Sequence, residues 1–206
     1  MVAYKLTYFN GRGAGEVIRQ ILHVAGQEFE DKRVTQEEWP ALKGNAPFGQ
    51  LPLLEVDGKT LAQSGAIARY LAREFGLNGK TAWEEAQVNS LADQFKDYFT
   101  EARPYFVVKM GFAQGDVDAL LKDVFVPAFT KNFTFFTNFL KASGSGFLVG
   151  NSLTFIDLAI AQHSADLLAA NPDALKDFPE IKAHSEKVQS IPALKKWIDV
   201  RPVTPF

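Results

Sequence analysis

Four short groups of residues in this chain could hold a small anionic molecule. Tyr8 closes an alternating segment and is followed by the turn Asn10-Gly11-Arg12-Gly13 and a helix start. A phenol there can donate to an anion, and the helix end adds positive potential. A half-buried strand tyrosine gives the same pattern. Gln50-Leu51-Pro52 precedes a strand. A cis peptide before Pro52 would turn the Leu51 amide and carbonyl outward as an edge for an extended peptide; an ordinary loop proline is the other reading. Gln63-Ser64-Gly65 opens a helix, where Ser64 is expected to cap and free amides could bind a carboxylate. Trp39 and Lys43 stand one helical turn apart. An indole donor and an ammonium on one side could hold a carboxylate, or form a plain surface pair.

Composition removes other chemistries. The chain has no cysteine, so a disulfide, a thiolate metal site and a cysteine nucleophile are excluded; any reactive sulfur must arrive with a ligand. His23, His163 and His184 show no metal-ligand spacing and read as solvated or hydrogen-bonded helix residues. A formal net charge of -2 gives no reason to expect nucleic acid or an anionic membrane as partner. The N-terminus lacks the pattern of a signal peptide, and no stretch approaches the roughly 20 apolar residues of a membrane span. A soluble cytoplasmic protein is expected.

The elements that would position these residues follow from periodicity. Tyr4, Leu6 and Tyr8 alternate with Lys5 and Thr7, which predicts a strand. Val17, Ile18, Ile21, Leu22 and Ala25 share a helical face that Gly26 ends. Residues 29–34 read as a second strand, making a parallel strand-helix-strand unit. Asp57-Gly58 is a preferred pair for the tight turn of a hairpin between 53 and 61. A helix with Ile67, Tyr70, Leu71 and Phe75 inward closes this half. Beyond it the pattern is helical: one stripe from Val88 to Phe99, and another from Leu121 to Leu140 that Pro127 should kink or start. Thr154 and Asp157 form a capping box ahead of an apolar run, and two more helical pieces follow.

Taken in order, YKLTYFNGRG, PFGQLPLLEVDG, LAQSGAIARYLA and GNSLTFIDLAIA resemble the cytosolic glutathione transferases over nearly the whole chain. The resemblance is closest to the sigma-like branch, which includes nematode (nu-type) enzymes and glutathione-dependent prostaglandin D synthases. It implies an α/β plus all-α fold, with a thioredoxin-like domain at 1–79 and an all-helical domain at 81–206.

It also implies roles. Tyr8 would hydrogen-bond the sulfur of glutathione, the co-substrate. Trp39 and Lys43 would hold the glycyl carboxylate. Gly49, Gln50 and Leu51, beside cis Pro52, would line the tripeptide. Gln63 and Ser64 would take the γ-glutamyl end, joined by Asp97 from the other subunit of a homodimer. Phe9, Gly13, Phe106, Phe112 and Phe206 would face the hydrophobic electrophile. The implied activity is conjugation of the thiolate to such electrophiles for detoxification. The alternatives are glutathione-dependent prostaglandin isomerisation, or carriage of haem or fatty acids without chemistry. Two departures stand out. Ala14 occupies a position where many sigma-type members carry a thiolate-stabilising arginine, with Arg12 nearby. Lys96 stands between Asp93 and Asp97, so no metal is expected.

Overall fold

The computed structural model describes residues 2–204. The N-terminal part is a four-stranded sheet in the order β2-β1-β3-β4, with β1 at Tyr4–Phe9, β2 at Glu30–Val34, β3 at Leu53–Val56 and β4 at Lys59–Ala62. β1 runs parallel to β2 and antiparallel to β3, and β3 and β4 form the hairpin. Both hairpin turn residues, Asp57 and Gly58, have positive φ, as the tight turn requires. Helix α1, Glu16–Val24, and helix α3, Ser64–Glu74, pack together, with Ile18, Ile21, Leu22, Ile67 and Leu71 buried with Leu6 and Leu54 of the sheet. The short α2, Trp39–Lys43, buries none of its residues.

The register sets the site. β1 pairs with β3 only as far as Thr7 opposite Leu53, so Tyr8 and Phe9 extend past the end of that ladder. The segment before β3, which contains the cis Leu51-Pro52 peptide, begins beside them.

The rest is helical: α4 at Ala82–Lys109, α5 at Val117–Leu120, a wide π turn at Leu121–Phe125, α6 at Val126–Ser143, α7 at Phe155–Ala170, α8 at Pro179–Gln189 and α9 at Pro192–Val200. Pro127 lies in the first turn of α6, and the π turn directly before it marks the break in the α-helical run at that residue. The capping box is present at the head of α7. The fully buried Asp157 carboxylate accepts from the amides of Thr154 (2.8 Å) and Leu148 (2.8 Å) and from the Thr154 hydroxyl (2.6 Å), with His184 Nε2 at 2.9 Å. These bonds replace the water such a carboxylate gives up.

Helix α1 joins the two halves. Gln20 Nε2 donates to Gln162 of α7 at 2.7 Å, and Glu16 accepts from Trp197 Nε1 of α9 at 2.9 Å and from Arg201 at 2.6 Å. A thioredoxin-like sheet layer followed by an all-helical part is the expected fold.

Some local expectations fail. Ser64 does not cap α3. Gln63 holds the cap position with φ +75°, and no side chain accepts there. The left-handed turn at Gln63 brings the chain into the helix abruptly, which leaves Ser64 as the first helical residue. Phe99, read as part of the inward stripe of α4, is 38% exposed, while its neighbour Tyr98 is fully buried.

Candidate active site

Tyr8 sits against a loop shaped around it. The Ala14 amide donates to the Tyr8 hydroxyl at 3.0 Å. A Cβ on Gly13 would lie 2.6 Å from the Tyr8 Oη, and a Cβ on Gly15 would lie 2.5 Å from Cδ1. Glycine at both positions is what lets the loop close over the ring. With one lone pair filled by Ala14, the phenol keeps its own hydrogen. No acceptor for it exists among the described residues. Accepting one bond strengthens the donation of the other.

Beneath the ring lies Arg19, fully buried, its guanidinium 5.7 Å from the Tyr8 centroid. Its Nε reaches both Asp31 oxygens at 3.1 Å, and its Nη1 donates to the Gly11 carbonyl at 2.7 Å and lies 3.5 Å from Glu16. Arg19 therefore ties β2, α1 and the loop after β1 together under Tyr8. Sequence reading passed over it, although a charged residue set among Ile18, Ile21 and Leu22 on the apolar stripe of α1 was the available signal. Arg12 points away from Tyr8: its Nη1 donates to the Thr204 carbonyl at 2.7 Å and its Nε lies 3.3 Å from Asp166. It therefore leaves the place of the arginine absent at Ala14 unfilled.

The other expected residues fall into three groups. Gln50, Leu51, Pro52, Gln63 and Ser64 line one concavity of about 190 Å³ with Ala62 and the 64% exposed Phe48. The Gln63 amide donates to the Gln50 side chain at 3.2 Å. The Leu51 amide and carbonyl have no partner among the described residues, so both stay available to an extended ligand. Gln63 is a non-glycine residue at positive φ on the wall of this concavity, and such strain concentrates where ligands bind.

In the second group, Trp39 meets Phe9 edge to face at 5.9 Å, and Phe9 meets Tyr8 at 5.8 Å. Lys43 crosses Gly49, where a Cβ would stand 3.4 Å from its Cε.

The third group is aromatic. Phe106 packs against Phe99 at 5.5 Å and Phe125 at 5.6 Å. Phe112 stands apart, 67% exposed beyond the end of α4, and the structure does not bring it to the other rings. Asp97 is exposed on α4, one turn after Asp93, whose carboxylate pairs with Arg69. Phe206 lies outside the described residues. Among the described residues there is no group of three or more His, Asp or Glu that could hold a metal ion, and no helix is long and apolar enough to cross a membrane.

The end of β1 thus presents a phenol hydrogen to give, and the segment before β3 an unpaired backbone edge beside a cis proline. Residues 4–73 match the family model for the glutathione S-transferase N-terminal domain, and residues 103–201 match that for the C-terminal domain. The chain belongs to the glutathione S-transferase family. It is 74% identical over the full length of both chains to a probable glutathione S-transferase 5 of Caenorhabditis elegans. Among solved structures it is similar to a Nu-class glutathione transferase of Haemonchus contortus, 60% identical with a TM-score of 0.93 over both whole chains. It is also similar to a hookworm (Necator americanus) glutathione S-transferase described as monomeric, 58% identical with a TM-score of 0.97, covering 99% of this chain and 100% of that one. Nematode glutathione transferases are thus its near relatives, as the motifs implied.

Proposed function

We propose that this protein conjugates the thiolate of glutathione to hydrophobic electrophiles, and that Tyr8 stabilises the thiolate. The observation that carries the reading is the Tyr8 hydroxyl itself, with one lone pair engaged by Ala14 and its hydrogen unspent. A free thiol ionises near a pKa of about 8.5, so only a few per cent is thiolate at neutral pH. A donor aimed at the sulfur favours the anion, and each pKa unit gained corresponds to about 1.4 kcal/mol. The thiolate then attacks the electrophilic carbon, and for an aryl or benzyl halide the halide leaves with its electron pair.

In this reading the tripeptide runs across the cleft. Trp39 and Lys43 take the glycyl carboxylate, while Gly49 and Gln50 line its middle. The free amide and carbonyl of Leu51 pair with the cysteinyl backbone. Gln63 and Ser64 hold the γ-glutamyl end, and the amides at the start of α3 add positive potential there. The electrophile lies on the far side of Tyr8 against Phe9, Gly13 and Phe106. The glutathione-binding domain spans 1–79 and the helical domain 81–206. The protein works in the cytoplasm as a homodimer in which the exposed Asp97 reaches the γ-glutamyl amine in the partner's cleft. Because a near relative is described as monomeric, sedimentation of the parent and glutathione binding by Asp97→Ala test that shared site directly.

The deciding experiment is the rate of conjugation to an aryl halide for the parent and for Tyr8→Phe across pH 6 to 9. Losing a donor that lowers the thiol pKa by about one to two units is expected to cost roughly 10- to 100-fold near neutral pH. The gap should close towards pH 9, where unassisted glutathione ionises by itself. A variant that binds glutathione and keeps the parent's rate at pH 6.5 would remove Tyr8 from the mechanism.

A further inference from the structure

One polar pair lies inside the aromatic cluster of the helical part. His163 of α7 is surrounded by Phe99 at 4.9 Å, Tyr98 at 5.4 Å, Phe95 at 5.8 Å, Phe133 at 6.1 Å and Phe106 at 6.2 Å between ring centroids. Its Nε2 lies 2.9 Å from the Tyr98 hydroxyl, which is fully buried. Its Nδ1 has no partner among the described residues and is not among the enclosed, unpaired polar atoms, so that edge of the ring is open. Phe106, which the proposed function sets against the electrophile, and the exposed Phe99 lie beside the ring. One helical turn on, Asp166 pairs with Arg12 of the loop that carries Gly13 and Ala14 against Tyr8.

The direction of the single bond fixes the tautomer. Burial among aromatic rings lowers the His163 pKa to about 3 and pushes the Tyr98 phenol well above its ordinary value, so both are neutral at physiological pH. If Nε2–H donated to the phenol, the Tyr98 hydrogen would be a buried donor with no acceptor. If Tyr98 donates to Nε2, nothing buried is left unmade, and the ring hydrogen resides on Nδ1. The ring then presents one N–H donor beside Phe99 and Phe106.

We propose that His163 is a specificity-determining residue of this transferase: its Nδ1–H, oriented by Tyr98, binds an oxygen acceptor on the electrophile and favours α,β-unsaturated carbonyl compounds over halides. The assignment rests on the thiolate reading above. In the addition, sulfur forms a bond to the β-carbon. The C=C electron pair moves to the α-carbon and carbonyl, and negative charge gathers on the carbonyl oxygen that Nδ1–H holds. The α-carbon then takes a proton from water, replacing the one the thiol gave up. A halide displacement gathers no charge on an oxygen and gains nothing from this donor.

The test compares kcat/KM for 4-phenylbut-3-en-2-one and for benzyl chloride in the parent, His163→Asn, His163→Gln and His163→Phe. An Asn amide can put its N–H₂ where Nδ1 stood, whereas Gln reaches towards Tyr98 and Phe has no donor. The enone-to-halide ratio should stay within about twofold for Asn and fall about five- to tenfold for Gln and Phe, the scale of one neutral hydrogen bond. Tyr98→Phe, which frees the ring to take either tautomer, should lower the ratio about twofold and covers the case in which a His163 variant fails to fold. An unchanged ratio in Gln and Phe, or an equal loss in Asn and Phe, would overturn the role of His163 while leaving Tyr8 intact. A parent that conjugates neither compound would overturn both.

Discussion

The sheet side and the helical side of the molecule are built from different materials. On the sheet side the contacts offered to a ligand are mostly backbone or held by backbone: the Leu51 edge, the left-handed turn at Gln63, and the loop pinned to Tyr8 through the Ala14 amide. Directly beneath lies an ionic knot of the buried Glu16 and Arg19 with the part-exposed Asp31. On the helical side the surface is made of ring faces and edges, with one neutral Tyr–His pair among them. Backbone donors and acceptors have fixed directions, so the first side can recognise one peptide closely. Ring surfaces gain mainly by contact area, so the second accepts many shapes.

If the sheet side depends on its ionic knot, breaking the knot should have the largest effect. Arg19→Met takes one partner from Glu16, which keeps Trp197 and Arg201, one from the part-exposed Asp31, which keeps Arg33, and the donor from the Gly11 carbonyl. A loss of about 2–3 kcal/mol in urea unfolding is expected. Conjugation should fall even at temperatures where the variant is folded, because the loop under Tyr8 loses its anchor. A loss below 1 kcal/mol would mean the knot is easily replaced and the contrast is overstated.

The helical side should reveal its intolerance of charge through pH. Unfolded His163 takes a proton near its ordinary pKa of 6.5, while the folded ring resists until about 3. Between those values the unfolded chain binds one proton more, so stability drops as pH falls, by at most about 1.4 kcal/mol per unit from this residue. Thermal unfolding of the parent and of His163→Asn from pH 7 to 5 should show the shallower slope in the variant. Parallel slopes would mean that the folded ring titrates normally.

The smallest effect has opposite signs in two measurements. Gln63→Gly relieves a non-glycine residue at φ +75° and should raise stability by roughly 0.5–1 kcal/mol, while weakening glutathione binding through loss of the amide. Calorimetric binding and urea unfolding on the same sample check both. Tighter binding would show that the Gln63 side chain takes no part on the sheet side.

Much of the sheet side was legible in the sequence because its signals are local. The Asp57-Gly58 turn and the helix stop at Gly26 each depend on backbone preferences of neighbouring residues, whereas the cis bond before Pro52 came only with the family resemblance. The capping box at Thr154 and Asp157 was legible for the same reason. Ser64 was misread because serine caps well in general, and nothing local announced that Gln63 would turn left-handed instead. The helical wall was less legible. Phe99, Phe106 and Phe112 are alike in sequence, yet Phe106 packs against other rings and Phe112 stands in solvent. Apolar periodicity marks a face without saying what covers it.

By itself the sequence determined the order of strands and helices, the family, and a tyrosine at the end of β1 beside a glycine-rich turn. Those follow from periodicity, turn chemistry and motifs that span a few residues each. Only the tertiary structure decided that Arg19 lies under Tyr8, that Arg12 turns away to Asp166, and that Tyr98 binds His163 across 65 positions of chain. Such pairings are settled by which faces meet when α1, α4 and α7 pack, and by the need of each buried polar group for a partner once water is gone.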